Sequence, residues 1–322
     1  MSTTELTTKT TGDVTISSQR RQTNPAALYL LTLSEGSSRD GMEQILKRTA
    51  RFFGFTDWTD CPWQTITAAH VIGYRAILQK QGKSPATINL VLAAIKGVVR
   101  CAWQENLISD HERMVIDSIK SVKGSRVRSG RALTYEETAT LFTDCLAENT
   151  AGGFRDAAIL ACGVGLGLRR AEIAGARLSK IDAANRSLKI IGKGNKEREV
   201  FFPEQAWLLF EKWLQVRGTG GSDFVFCPID RRGEMLYHSG LQPSAILQIL
   251  QKRGIKSDLG KFSPHDLRRT FASRLLENGV DLSMVRGALG HSSIGTTVIY
   301  DHRGKEKLKQ CLSKLSGHMI IT

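Results

Sequence analysis

A chain of 322 residues has room for about two domains, each with a core of its own. Lysine and arginine number 45 against 31 aspartates and glutamates, and the net charge of +14 suits a polyanionic partner, although a basic soluble enzyme would carry it equally well. The six cysteines form no CxxC pair, which points to reduced core thiols and away from zinc. No secretory leader opens the chain, and no stretch approaches the roughly 18 continuous apolar residues of a membrane span, so a soluble cytoplasmic protein without membrane contact is expected.

Residues 1–23, polar and rich in serine and threonine, read as a disordered tail. Asn24 and Pro25 then supply a helix cap and a first-turn proline. Further helical patterns run from Ser38 to Phe53, from Thr67 through Leu78, and from Ser84-Pro85 through Val99, where apolar residues recur at helical spacing over four turns. Residues 24–118 are therefore expected to form a small all-helical domain.

Residues 119–132 read as a basic linker carrying Lys120, Lys123, Arg126, Arg128 and Arg131; a solvated linker and one laid along a nucleic-acid backbone are compatible readings, and the charge favours the second. A second domain is expected over 133–303, opening on the capping box of Thr134 and Glu137. Helices are predicted at 153–165, 168–176, 203–216, 239–252 and 263–278, with a short one capped by Asp281 and ended by Gly290. Between them, 187–202 reads as a hairpin, two β-prone runs around Gly192-Lys193-Gly194-Asn195. The predicted class is thus mainly α with a small β-hairpin in the second domain.

Three local features could carry chemistry. Arg169 and Glu172 stand three apart at a helix start, as a surface ion pair or as part of a site. The preceding Gly163, Gly165 and Gly167 resemble a dinucleotide loop, but Leu168 occupies the position of the third glycine. His265 and Arg268 share the first turns of a helix whose N-terminus favours anions. Leu289-Gly290-His291 is followed nine residues later by Tyr300, in Ile299-Tyr300-Asp301-His302. The three histidines 265, 291 and 302 have no compact ligand spacing, so no metal is expected.

Together these segments, "GLRRAEI" (167–173), "IGKGNKER" (191–198), "PHDLRRTFASRLLENG" (264–279) and "LGHSSIGTTVIYDH" (289–302), resemble the boxes of the tyrosine recombinases, most closely the Xer, Cre and phage-integrase branch. Arg170 departs from the smaller residue usual beside the first arginine. The resemblance spans about 25–316 and implies a two-domain, C-shaped clamp on double-stranded DNA. It implies that Tyr300 is the nucleophile and forms a 3′-phosphotyrosine. Arg169 and Arg268 clamp the phosphate oxygens, Lys193 protonates the leaving 5′ oxygen, His265 assists proton transfer and His291 adds a hydrogen bond. Glu172 supports from behind, and neither metal nor other cofactor is needed. "KSPATINLVLAAIKGVVRCAWQENLI" (83–108) resembles the end of the family's core-binding domain, with Lys80, Lys83, Lys96 and Arg100 as phosphate contacts. With only 23 residues ahead of the first helix, a simpler two-domain recombinase without the arm-site domain of lambda-type integrases is expected.

Tyr29, Tyr74 and Tyr135 fall on helical core patterns, leaving Tyr237 as the rival nucleophile. Residues 304–322 are expected to form a C-terminal helix and tail, with Leu308, Cys311, Leu312 and Leu315 as an apolar stripe. By the resemblance, that stripe docks on a neighbouring protomer in a homotetramer around two duplexes and a Holliday junction; docking on its own domain is the alternative. A catalytically idle DNA-binding protein and a type IB topoisomerase or telomere resolvase are the competing functions. The DNA site, any partner recombinase or accessory protein, and the choice among integration, excision and resolution are not written in the sequence.

Overall fold

The computed structural model describes residues 24–124, 130–192 and 197–290, with the backbone of two short strands before them. Lys193, His291, Tyr300, Arg126, Arg128, Cys311 and the expected C-terminal helix lie outside the described residues. The chain divides into two compact units, Met1–Arg128 and Ser129–Thr322, and the division falls inside the stretch expected to be a linker.

In the first unit, strands β1 (Leu6–Thr8) and β2 (Val14–Ile16) pair antiparallel, where the sequence suggested a tail without structure. Both are threonine- or β-branched-rich, the composition that suits a pleated ribbon. Five helices follow: α1 (Pro25–Leu31), α2 (Ser37–Phe52), α3 (Ala68–Lys80), α4 (Pro85–Gln104) and α5 (Asp110–Asp117). Four of the five starts are fixed by short polar caps: Asn24, Thr67, Ser84 and Ser109 each accept a backbone N–H from the first turn. α4 is the central helix, burying Ile88, Val91, Leu92, Ile95, Val98 and Val99 against the other four. It is the one described helix long and apolar enough to cross a membrane, and half of that stretch is buried in this core.

The second unit holds α6 (Tyr135–Ala147), α7 (Ala151–Leu166), α8 (Arg170–Ala174), β3 (Ile181–Asp182), β4 (Ser187–Ile191), β5 (Glu197–Phe201), α9 (Glu204–Arg217), α10 (Pro243–Lys256), α11 (Pro264–Glu277) and α12 (Leu282–Leu289). α7 is buried on nearly every side, enclosed by α6, α9 and α11. The glycine run that resembled a nucleotide loop belongs to this packing. A side chain on Gly163 would lie 2.6 Å from Leu267 of α11. The three strands form an antiparallel sheet in the order β3-β4-β5, with Leu188 opposite Val200 and Ile190 opposite Arg198. Leu188, Ile190 and Val200 are buried, and Lys189, Ile191, Glu197, Glu199 and Phe201 are exposed. α10 starts four residues later than the sequence pattern suggested, because Pro243 occupies its first turn and forces the preceding residue out of helical geometry.

Both ends of the expected linker are tied down. Ile119 is buried in the first unit's core, and Asn89 exchanges hydrogen bonds with both backbone groups of Val122 at 2.8 and 3.0 Å. In the second unit Leu133 is buried and its N–H donates to Thr270 at 2.8 Å.

Candidate active site

Three chain segments far apart in sequence meet beside the N-terminal turns of α11. Ser263 caps that helix jointly with Asp266, whose carboxylate accepts the Ser263 N–H at 2.9 Å, and Pro264 opens it. On the next turn Arg268 is 1% exposed, and its guanidinium donates to the carbonyls of Gly167 and Leu289. Those oxygens terminate α7 and α12, both of which end on a left-handed glycine, Gly167 at φ +63° and Gly290 at φ +60°. Two helix C-termini thus turn partial negative charge onto one buried cation, which offsets the cost of removing it from water.

Arg169 follows from Gly167 by a single residue. At Gly167 a Cβ would fall 2.4 Å from the Phe271 ring, so only glycine permits both the left-handed turn and the approach to α11. Arg169 caps α8 through its backbone, and its N–H donates to Glu172 Oε2 at 2.9 Å. Its guanidinium donates to Glu172 Oε1 at 2.8 Å and to the Gly290 carbonyl at 3.1 Å. Arg169, Arg268, exposed His265, Arg170 and Ser263 line one open cleft of about 380 Å³. The structure therefore brings together three of the six residues expected to be catalytic. Gly192 and Gly290, the described neighbours of Lys193 and His291, are the limit of what it describes for the other three.

Glu172 is 4% exposed and is shared. Besides Arg169 it accepts two hydrogen bonds, both 2.9 Å, from the guanidinium of Arg198 on β5. Burial pushes the Glu172 carboxyl up, but hydrogen bonds from Arg198 and from the Arg169 N–H outweigh it and hold the group below its ordinary range. Arg198 was not singled out from the sequence. The available signal was its position: it alternates with Val200 on the inward face of the hairpin, where an apolar residue would be expected.

The other expected residues are spread over both units. Lys80, Lys83, Arg100 and Lys123 are exposed in the first, free of the core. Lys96 is a correction. Its ammonium is half-buried and donates to the carbonyls of Asp117 and Ile119 at 2.7 and 2.8 Å, closing the C-terminus of α5 as a cationic cap, so it is not a surface phosphate contact. Arg131 is exposed in the second unit and pairs with Glu137 through both guanidinium nitrogens. Tyr237, the rival nucleophile, donates its O–H to the Arg217 carbonyl at 2.7 Å and is not among the residues that line the cleft of Arg169 and Arg268. Tyr29 and Tyr74 are core residues as expected, but Tyr135 is 59% exposed, with Arg274 stacked 4.1 Å over its ring. The five described cysteines are buried and unpaired, and among the described residues no group of His, Cys, Asp or Glu could hold a metal ion.

Residues 131–307, more than half of the chain, match the phage integrase family. The chain belongs to that family. This recombinase is 32% identical over 252 residues to tyrosine recombinase XerC of Alcanivorax borkumensis, a match that covers 77% of this chain and 79% of the relative. It is 27% identical over 290 residues to tyrosine recombinase XerD of Listeria monocytogenes, covering 88% and 94%. Among solved structures, the Tn1549 transposon integrase in complex with a circular intermediate DNA has a TM-score of 0.63 at 17% identity, covering 91% of this chain and 99% of that one. A lambda integrase dimer bound to a COC′ core site gives 0.62 at 18% identity, covering 87% and 94%. At those identities the structures are alike in fold. The recombinase accordingly breaks and rejoins DNA strands at specific sites by the tyrosine recombinase mechanism.

Proposed function

We propose that the chain is a catalytically active site-specific recombinase in which Tyr300 is the nucleophile and Arg169 and Arg268 are the phosphate clamp. The observation that carries this reading is the pair of guanidiniums, held by the helix-terminal carbonyls of Gly167, Leu289 and Gly290 along one cleft with His265. The Tyr300 oxygen attacks the scissile phosphorus, the bond from phosphorus to the 5′ oxygen breaks, and a 3′-phosphotyrosine forms. Its phosphoryl oxygens gain charge on the way, which two fixed guanidiniums and His291 stabilise without a metal. Lys193, from the sequence that connects β4 and β5, supplies the proton to the departing 5′ oxygen, and His265 takes the tyrosine's proton. A second attack, by a 5′ hydroxyl on the phosphotyrosine, reverses the chemistry on a new partner strand and needs no nucleotide.

Both units contact the duplex in this reading, with Lys80, Lys83, Arg100 and Lys123 against phosphates from one unit and Arg131 from the other. Four protomers gather two duplexes and pass through a Holliday junction, in the cytoplasm, for integration, excision or resolution of an element or chromosome dimer. The docking surface in this reading is an apolar cavity of about 550 Å³ in the second unit, lined by Tyr135, Phe142, Leu146, Leu208, Phe271 and Leu275. It has the size and chemistry to take the stripe of Leu308, Leu312 and Leu315 from a neighbour.

The test is a nicked suicide substrate incubated with wild type and with Tyr300→Phe, in EDTA and without nucleotide. Wild type should become covalently attached, and the variant should bind equally and attach not at all. An idle DNA-binding protein would give no adduct with either. An adduct that persists in Tyr300→Phe, or a strict magnesium requirement for cleavage, refutes the assignment.

A further inference from the structure

The ion pairs around Glu172 have an arithmetic consequence. Arg169 and Arg268 bring two positive charges to the cleft, and a buried Glu172 2.8 Å from Arg169 cancels one of them. A phosphodiester passes through a transition state with about two negative charges on its oxygens. Arg198 restores the balance: its fork takes both Glu172 oxygens at 2.9 Å, side by side with Arg169. The same guanidinium lies against Gly290, where an added Cβ would come within 2.9 Å of Arg198 Nη1. Gly290 is also the residue whose carbonyl receives Arg169 and which directly precedes His291.

The chain reaches this arrangement by strand alternation. Arg198 is on the inward face of β5, paired in register with Ile190, between the exposed Glu197 and Glu199. That face otherwise buries Leu188, Ile190 and Val200. An arginine in that row is costly unless its charge is met, and Glu172 of α8 meets it. Hairpin and α8 are thereby joined through the residue that also holds Arg169.

We infer that Arg198 is a positioning residue for strand cleavage, which acts through Glu172 to leave Arg169 its charge and its orientation toward the phosphate. The inference rests on the reading of Arg169 as part of the phosphate clamp. Arg198 does not itself touch DNA in this assignment. Its effect is on the rate of cleavage and not on the affinity for the site.

The full-length protein can be tested with Arg198→Gln, Arg198→Lys, Glu172→Gln and the double variant Arg198→Gln/Glu172→Gln. Half-site binding and single-turnover formation of the phosphotyrosyl adduct are measured for each, after a melting curve establishes folding. Arg198→Gln should slow adduct formation by roughly 10- to 100-fold, the usual effect of removing a residue that orients a reacting group, with binding changed less than about threefold. Arg198→Lys should recover part of the rate, because it keeps the charge and loses the fork. The double variant should cleave faster than Arg198→Gln alone, since the uncompensated carboxylate is gone. A residue that merely holds the hairpin in place predicts the opposite order, and a double variant as slow as or slower than Arg198→Gln overturns the inference. Arg169→Gln serves as the control on the underlying reading. If it still cleaves, the clamp assignment fails; if it is dead while Arg198→Gln cleaves normally, only the role of Arg198 fails.

Discussion

The second unit buries several arginines, and their surroundings separate structural from chemical ones. Arg217 is fully buried, and its guanidinium is spent on the carbonyls of Gly218, Gly220, Ser222 and Phe224, which folds the 218–224 loop around it. Arg253 joins α10 to α6 and α7 through Glu148 at 2.5 and 2.8 Å and Asp156 at 2.8 Å. Arg268 differs in its company: the cleft it lines also holds Arg169, Arg170 and His265 and, among the described residues, no carboxylate, whereas Arg253 lines a pocket together with Glu148 and Asp156. The Arg253 network makes a pH prediction. Arg253, with Lys256, pulls the Glu148 carboxyl down to about 2, whereas an unfolded glutamate titrates near ~4.3. A depressed folded value means the pairing stabilises the protein above that unfolded value and is lost as pH falls toward 2. Glu148→Gln should therefore lower the melting temperature at neutral pH, with the gap from wild type closing as the pH drops below ~4. A gap that stays constant with pH would mean that Glu148 contributes through packing and not through charge.

At the scale of elements the hairpin carries the most specific expectation. β4 and β5 pair over five residues from Ser187–Phe201 to Ile191–Glu197, and Lys193 belongs to the stretch of sequence that connects them. Lys193→Ala should lower cleavage by roughly 10²- to 10⁴-fold, the ordinary weight of a general acid, and a bridging 5′-phosphorothiolate should return most of the rate because sulfur leaves unprotonated. If oxygen and sulfur substrates suffer equally, the lysine is a phosphate contact. Helix starts were legible because caps are local: Asn24, Ser84, Thr134, Ser263 and Asp281 each act within three residues of themselves. The capping box of Ser109 and Glu112 was equally readable and went unread, and so α5 did too. What no local pattern holds is the use of a charge at a distance. Lys96 looks the same on a helix face whether it meets a phosphate or two carbonyls more than 20 residues away. Arg198 acquires meaning only when Glu172, 26 residues earlier, is brought beneath the sheet. The order of Arg169, His265 and Arg268 along the chain suggested one site, but the carbonyls that fix the two arginines come from backbone geometry at Gly167 and Gly290.

For the whole molecule, the excess of 14 positive charges belongs to a protein that must hold DNA while exchanging its strands. Truncation after Lys305 removes the stripe that includes Leu308, Leu312 and Leu315, and leaves Tyr300 in place. If those residues fill a neighbour's cavity beside Tyr135 and Phe271, the shortened protein should bind a half-site with affinity within about threefold of wild type. It should also lose cooperative filling of the full site by an order of magnitude or more, as head-to-tail contacts that close a ring require. Gel-shift titrations on half and full sites measure both. Normal synapsis and recombination by the truncated chain would mean that the stripe packs on its own protomer.

The burial of Arg268 has a thermodynamic consequence. An arginine free in solvent gives up about 2 kcal/mol of rotamer entropy when it is immobilised. Here the Gly167 and Leu289 carbonyls have already immobilised the side chain during folding. That ordering is therefore complete before the phosphate arrives, and none of it is subtracted from the interaction with DNA. The entropy lost on binding belongs to other groups, and the guanidinium meets the scissile phosphate as a rigid part of the fold.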